Sequence, residues 1–298
     1  MELKSSQYIF FTAVFSFSVL LGCDKRQETP YAKTTYIDDL GYSVEINKTP
    51  QRIISLAPNL TEIIFAVRAD SQMVGITDYC NFPAGVSNKS KVGGIINPNL
   101  EAIIALKPDL VFATADGNPK PTVEKLKAVG IPVYVFNVNR YSDVLGCIRM
   151  VGKLTGHSIA ADSVVTGMTA STAHLKPLPN KPGVFFVLNR NPIISASGGS
   201  FLNDILEIAG GRNVVGKMNE RYPTLNRESV IQLNPDYFII PEKDFQPLPE
   251  NEYTDFNSLS SVPAVKEKRV YYMNPDIILR PGPRLVLGIQ QLNFILSQ

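Results

Sequence analysis

The stretch Asn99-Leu-Glu-Ala-Ile-Ile-Ala-Leu-Lys-Pro-Asp-Leu-Val-Phe-Ala113 returns, altered, as Asn226-Arg-Glu-Ser-Val-Ile-Gln-Leu-Asn-Pro-Asp-Tyr-Phe-Ile-Ile240. Six positions are identical: Asn99/Asn226, Glu101/Glu228, Ile104/Ile231, Leu106/Leu233, Pro108/Pro235 and Asp109/Asp236. Each copy reads the same way. An Asn caps a short amphipathic helix, Pro-Asp ends it, and an apolar run begins a strand. A second echo, in element order, runs from Arg52-Ile-Ile-Ser-Leu-Ala…Thr61-Glu-Ile-Ile-Phe65 to Pro192-Ile-Ile-Ser-Ala-Ser…Asp204-Ile-Leu-Glu-Ile208. Shared turn chemistry is the plainer explanation of either echo alone. Two in the same order favour two lobes of like βα build, with a cleft between them where a ligand binds.

The residues around the repeat extend this pattern. Strand-like runs Ile53–Leu56, Met73–Thr77, Leu110–Ala113 and Pro132–Phe136 alternate with helical stretches Leu60–Val67, Leu100–Leu106 and Thr122–Val129. That order predicts a parallel sheet covered by helices on both faces. The second half repeats it with Val184–Leu188, helix Phe201–Ile208, Tyr237–Ile240, Arg269–Met273 and a closing helix Arg284–Leu296. Between the halves, Tyr141–Leu178 carries no strand signal. Val144, Ile148, Val151 and Leu154 fall at helical spacing, Gly156 interrupts, and Ile159–Leu175 reads as one longer helix. The fold class expected is α/β: two Rossmann-like lobes with parallel central sheets, joined by a single long backbone helix. Such a joint predicts a small hinge motion rather than wide closure.

The N-terminus reads as an export signal. After Lys4 comes the apolar run Tyr8–Leu21, short for a membrane span of about 20 residues. It ends in Leu20-Leu-Gly-Cys23, which resembles the bacterial lipobox and implies lipidation of Cys23. A polar tether, Asp24-Lys-Arg-Gln-Glu-Thr-Pro30, follows. Asp24, directly after that Cys, resembles an inner-membrane retention signal. The expected organisation is signal peptide 1–22, lipidated tether and lead-in 23–50, N-terminal lobe 51–140, linker helices 141–180 and C-terminal lobe 181–298.

Composition bounds the function. Apolar content of 44% is that of an ordinary globular protein, and a net charge of +2 without a basic cluster argues against a nucleic-acid partner. After Cys23 only Cys80 and Cys147 remain. Outside the cytoplasm a Cys80–Cys147 disulfide is permitted, worth about 4 kcal/mol on the chain-entropy account. A buried free thiol is the alternative for Cys147, which lies in an apolar helical pattern.

Several segments, in order, carry a family resemblance. Arg52-Ile-Ile-Ser-Leu-Ala-Pro-Asn-Leu-Thr-Glu-Ile-Ile-Phe65, Val74-Gly-Ile-Thr-Asp-Tyr-Cys-Asn-Phe-Pro83, Lys91-Val-Gly-Gly94 and Ser197-Gly-Gly-Ser-Phe-Leu-Asn-Asp204 resemble the helical-backbone (class III) periplasmic binding proteins. These serve ABC importers of cobalamin, haem and ferric siderophores. The resemblance covers roughly residues 50–298. It is closest to the cobalamin-binding branch, through Thr77–Pro83, Arg227-Glu228 and Asp276…Arg280…Pro283-Arg284…Gln290-Gln-Leu292. Well-known members of that branch line the cleft with Trp. This chain has no Trp, and Ile95 and Tyr222 stand at two of those motif positions.

The resemblance implies a substrate-binding lipoprotein that captures a corrinoid and delivers it to an ABC permease dimer with its ATPase subunits. It would act as a monomer on a lipid anchor, with the corrinoid as cargo and no cofactor. The ligand residues implied are Tyr79, Ile95 and Tyr222, which offer flat faces to the ring, with Asp276 and Arg280 at its polar edge. Tyr79 also follows a strand, at the end where open α/β sheets bind ligands. Asp276 has a second reading, as a cap for the segment after it. Glu101 and Glu228 each stand two residues after a capping Asn. Locally they oppose the helix dipole, worth about 0.3–1 kcal/mol; the family implies that they also face Arg residues on the two permease halves, which suits a two-fold partner.

The rival readings are an enzyme, a metal-binding protein, and a ferric-siderophore or haem binder of the same transporter class. No Gly-x-Ser-x-Gly, Cys-x-x-Cys or Gly-x-Gly-x-x-Gly appears. The only His residues, His157 and His174, lie in the linker, away from Ser197, Ser200 and Asp204, so neither a triad nor a His-rich metal site is expected. An anionic siderophore would call on Arg190, Arg221 and Arg280, with Asp276 arguing against it.

Overall fold

The computed structural model describes residues 34–298. The signal segment and Cys23, with the lipidation expected there, lie outside the described residues. The described chain opens with a hairpin of β1 (Thr34–Ile37) and β2 (Ser43–Ile46), turned through Gly41 at φ 84°. This corrects the reading of 23–50 as tether and lead-in throughout. Val44 and Ile46 are buried, Asp39 N donates to Val135 O at 3.1 Å, and Tyr134 Oη donates to Ile37 O at 3.0 Å. The hairpin therefore belongs to the folded body.

The first lobe runs β3 (Ile53–Ser55), α1 (Pro58–Ala66), β4 (Met73–Ile76), β5 (Ser90–Lys91), α2 (Leu100–Ala105), β6 (Leu110–Thr114), α3 (Lys120–Ala128) and β7 (Val133–Phe136). Its parallel sheet has the order β5-β4-β3-β6-β7. The connection helices α4 (Tyr141–Thr155) and α5 (Ser158–Ala173) turn on Gly156, whose φ of 79° suits a residue without a Cβ. They pack antiparallel: Tyr141 Oη donates to Met168 O, and Arg149 meets Asp162.

The second lobe has β8 (Gly183–Phe186), β9 (Asn189–Arg190), β10 (Ile193–Ile194), α6 (Phe201–Ile208), β11 (Arg212–Asn213), β12 (Thr224–Leu225), α7 (Arg227–Leu233) and β13 (Tyr237–Ile240). It ends with β14 (Gln246–Pro247), α8 (Pro263–Lys266), β15 (Val270–Tyr272), α9 (Pro275–Ile278) and α10 (Leu285–Leu296). Its main sheet has the order β11-β8-β13-β15-β14, with only the edge strand β14 antiparallel. A small β12-β10-β9 sheet stands beside it.

The strands alternate between two cores, as their period of two requires. Leu110 and Phe112 of β6, and Val184, Phe186, Tyr237 and Ile239 of β8 and β13, face one continuous core with α1, α4, α5, α6 and α10. Val111 and Ala113 face a separate outer core under α2 and α3. Phe185, Phe238 and Ile240 face the corresponding outer core of the second lobe, which includes Val230 and Phe256.

The repeat is a structural repeat. Asn99 Oδ1 accepts from Ala102 N at 3.0 Å, and Asn226 Oδ1 accepts from Ser229 N at 2.8 Å. Ile103 and its counterpart Val230 are fully buried. Asp109 accepts from Gln51 N and Arg52 N at 2.8 and 2.9 Å, while Asp236 accepts from Gly183 N at 2.6 Å. Each Asp so fastens its strand to the parallel neighbour. This pairs Arg52 with Gly183, so the counterpart of β3 is β8. The second echo, which set Arg52 against Pro192, is corrected: Ile193 and Ile194 lie in the small antiparallel sheet.

Candidate functional site

In a parallel sheet the strand order reverses at one point, and loops leaving the strands there open a crevice. Here that point lies between β3 and β6. The loop after β3 and the start of α1 supply Ala57, Pro58 and Asn59, and the loop after β6 supplies Asp116 and Gly117, to a cleft of about 360 Å³. Phe201, Tyr222, Leu279, Arg280 and Pro281 of the second lobe line the same cleft. Phe136 and Val138, from the end of β7, add apolar wall.

Asn118 holds the first-lobe wall together. Its buried side chain donates to Leu56 O and Ile95 O at 3.0 and 2.9 Å and accepts from Thr114 N at 2.8 Å. Three loops are thereby fixed by one amide. Gly117 fits because a Cβ there would stand 3.0 Å from Ile95 Cγ2 and 2.8 Å from Thr114 Oγ1.

Four of the five expected ligand residues, Tyr79, Ile95, Tyr222 and Arg280, line this cleft. Tyr79 is 62% exposed and Tyr222 44%, so both present ring surface to whatever fills it. Burial, followed by the nearby Asp116 charge, raises the Tyr222 pKa above the usual phenol value, and Arg221 partly opposes this; the hydroxyl stays neutral.

Asp276 is not among the lining residues and does not cap its helix; Asn274 does, accepting from Asp276 N at 2.8 Å. Instead Asp276 pairs with Arg280 at 2.8 Å and accepts from Asn81 Nδ2 at 3.1 Å. Arg280 also donates to Asn81 Oδ1 at 2.7 Å and stands 3.4 Å from Glu62. Arg284 grips buried Glu62 through Nε and Nη2 at 2.8 and 2.6 Å, with its guanidinium 4.1 Å from the Phe82 ring centroid. This network joins α1 and the loop after β4 to α9 and the start of α10, so it spans the lobes. A second bridge crosses elsewhere: Arg221 Nη1 meets Asp116 Oδ2 at 2.6 Å, and Arg221 Nη2 donates to Asn139.

Arg190 stands outside the cleft. It pairs with Glu242 and Asp255 at 3.1 and 2.9 Å beside a larger cavity, about 670 Å³, on the outer side of the second sheet. That cavity is walled by one lobe, whereas exposed Tyr79 of the first lobe and Tyr222 of the second both line the cleft between them. Both thiols are free: Cys80 Sγ lies 3.1 and 3.2 Å from the hydroxyls of Thr61 and Thr77, and Cys147 is buried in α4. The disulfide expectation is therefore corrected. Burial pushes the Cys147 thiol well above the usual thiol range.

Glu101 and Glu228 are exposed in the first turns of α2 and α7, on the outer side of each sheet. One turn on, Ile104 and Ile231 are 45% and 39% exposed. Residues three apart share a helix face, so each lobe shows the same acidic and apolar pair. Sequence reasoning missed Asp116, Asn118, Phe136 and Phe201. The signal for the first two was present: Asp116-Gly-Asn118 directly follows a strand, where the crevice opens.

A family model described as periplasmic binding protein matches residues 53–277, and the chain belongs to that family. It is a substrate-binding transport protein of the cell envelope, not an enzyme; members carry ligands for transport and hand them to permeases driven by ATPase subunits. An uncharacterized ABC transporter substrate-binding lipoprotein of Bacillus subtilis (strain 168) is 30% identical over 90% of this chain and 86% of its own length. A vitamin B12-binding protein of Vibrio vulnificus (strain YJ016) is 30% identical over 84% of this chain and 92% of its own. The solved periplasmic heme-binding protein of Vibrio cholerae shares the fold, with a TM-score of 0.74 at 20% identity over 83% of this chain and 99% of that one. Among the described residues, no helix is long and apolar enough to cross a membrane.

Proposed function

We propose that this protein captures a corrinoid of the cobalamin type outside the cytoplasm and delivers it to an ABC importer. One observation carries the choice of ligand. The cleft is walled by aromatic and aliphatic groups, and its charged lining residues, Asp116 and Arg280, are each paired within the protein. A broad macrocycle with neutral amide edges fits such a wall. The kinship with a vitamin B12-binding protein supports the same reading. A ferric siderophore or haem would bring anionic groups. Of the arginines available for them, Arg190 lies elsewhere, and Arg221 and Arg280 already hold carboxylates.

The deciding experiment is calorimetric titration with cyanocobalamin, haem and a siderophore panel. One corrinoid per monomer is expected. Tyr79→Ala and Tyr222→Ala should each weaken it by about ten- to a hundredfold, the cost of one large aromatic contact. No corrinoid binding, or unchanged affinity in both variants, defeats this reading.

We also propose that Glu101 with Ile104, and Glu228 with Ile231, form two matched docking points for the permease halves. Lipidation at Cys23 would hold the protein at the membrane. Labelled palmitate should enter the wild type and not Cys23→Ala; equal labelling of the two excludes that anchor.

A further inference from the structure

We propose that Asp116 sets the charge selectivity of the cleft: by neutralising Arg221 it disfavours ligands that carry carboxylates. This rests on the cleft being the ligand site. The geometry is specific. Asp116 lines the cleft on the first lobe, and Arg221 reaches it from the second at 2.6 Å. Neither end has much slack. Asp116 is followed by Gly117, crowded against Ile95 and Thr114, and by Asn118, whose amide ties three loops. Arg221 O accepts from Ser197 N at 2.9 Å, and the next residue is Tyr222 in the cleft wall.

A guanidinium beside an aromatic wall is an apt receiver for a ligand carboxylate, since its planar fork makes paired charge-assisted bonds. Asp116 takes one arm of that fork, through Nη1, and Asn139 accepts from the other, through Nη2. An incoming carboxylate would have to displace Asp116 and then lie beside it as a like charge, which discriminates through repulsion as much as through lost attraction. A neutral amide meets neither obstacle. Burial is the main cause of the raised Tyr222 pKa, and the Asp116 charge adds to it, so its field reaches the cleft wall. The ion pair is half-exposed, so the discrimination expected is about tenfold rather than a thousandfold.

The test uses two ligand pairs that differ only in carboxylates: cyanocobalamin against its monocarboxylic acid, and haem dimethyl ester against haem. Wild type should prefer the neutral member of whichever pair binds. Asp116→Asn keeps the shape and an acceptor for Arg221 but removes the charge. It should improve the acid-to-neutral ratio about tenfold. Adding Arg221→Gln should return the ratio to within about twofold of the wild-type value. A ratio unmoved by Asp116→Asn, or a gain that survives Arg221→Gln, overturns the role of Asp116. Which pair binds decides the corrinoid reading separately. Failure of all four ligands with both wild type and Asp116→Asn overturns the proposal together with the corrinoid reading.

Discussion

The α2–β6 and α7–β13 units share their caps, their buried helix position and the Asp that fastens each strand to its neighbour. They part company after the strand. β6 leads into Asp116-Gly-Asn118, which walls the cleft; β13 leads to Glu242, which turns to Arg190 on the far side of its sheet. The residues the copies share hold backbone, face outward or, like Leu106 and Leu233, pack on the outer cores, and those that line the cleft lie in loops they do not share. The two units are alike in scaffold and outer face and differ in the inner loops.

The outer face gives the largest expected effect. Glu101→Lys with Glu228→Lys should abolish uptake and stimulation of the transporter's ATPase, since like charges would meet at both contacts. Ligand affinity should stay within about threefold, under about 1 kcal/mol. Each single variant should be intermediate. A folded double variant that transports normally leaves the two glutamates with only their helix-end role and breaks the symmetry of the comparison.

The fastening Asp residues should separate the copies. Asp109 holds two backbone N–H groups and Asp236 one. Charge-assisted bonds of this kind, discounted for partial exposure, put Asp109→Ala at about 2 kcal/mol and Asp236→Ala at about 1 kcal/mol. Urea unfolding of the two variants measures the difference; the ordering fails if Asp236→Ala costs as much. The caps should show the least difference. Asn99→Ala and Asn226→Ala should each cost about 1 kcal/mol and agree within about 0.5 kcal/mol, because each loses one equivalent bond. A larger gap in thermal melts would mean that the two helices differ in how far packing supports them.

The main strands were legible because both faces of each are buried, so Leu110–Ala113 and Tyr237–Ile240 read as unbroken apolar runs. The hairpin β1–β2 was not, since Thr34-Thr-Tyr-Ile37 and Ser43-Val-Glu-Ile46 show water one face and few large apolar groups. Two-residue strands such as β10 carry no period at all, which is why Ile193-Ile194 passed for the counterpart of Ile53-Ile54. That Tyr79, Ile95, Tyr222 and Arg280 would share one cleft was readable from motif position. The partners of the charges were not. Asp116 and Arg221 stand 105 residues apart in sequence, Glu62 and Arg284 stand 222 apart, and no spacing rule reaches across two lobes.

The core shared by the inner faces of both sheets has a consequence for how the molecule comes apart. Phe112, Ile148, Val165, Phe186 and Ile289 belong to one apolar cluster, so each half supplies part of the other's covering. A fragment ending near residue 180 would lack α6 and α10 and expose the faces of α4 and α5 that pack on them, and the complementary fragment would lose the same covering. Residues 34–298 should therefore melt in a single calorimetric transition despite their two sheets, and neither half should be recoverable alone as a stable soluble piece.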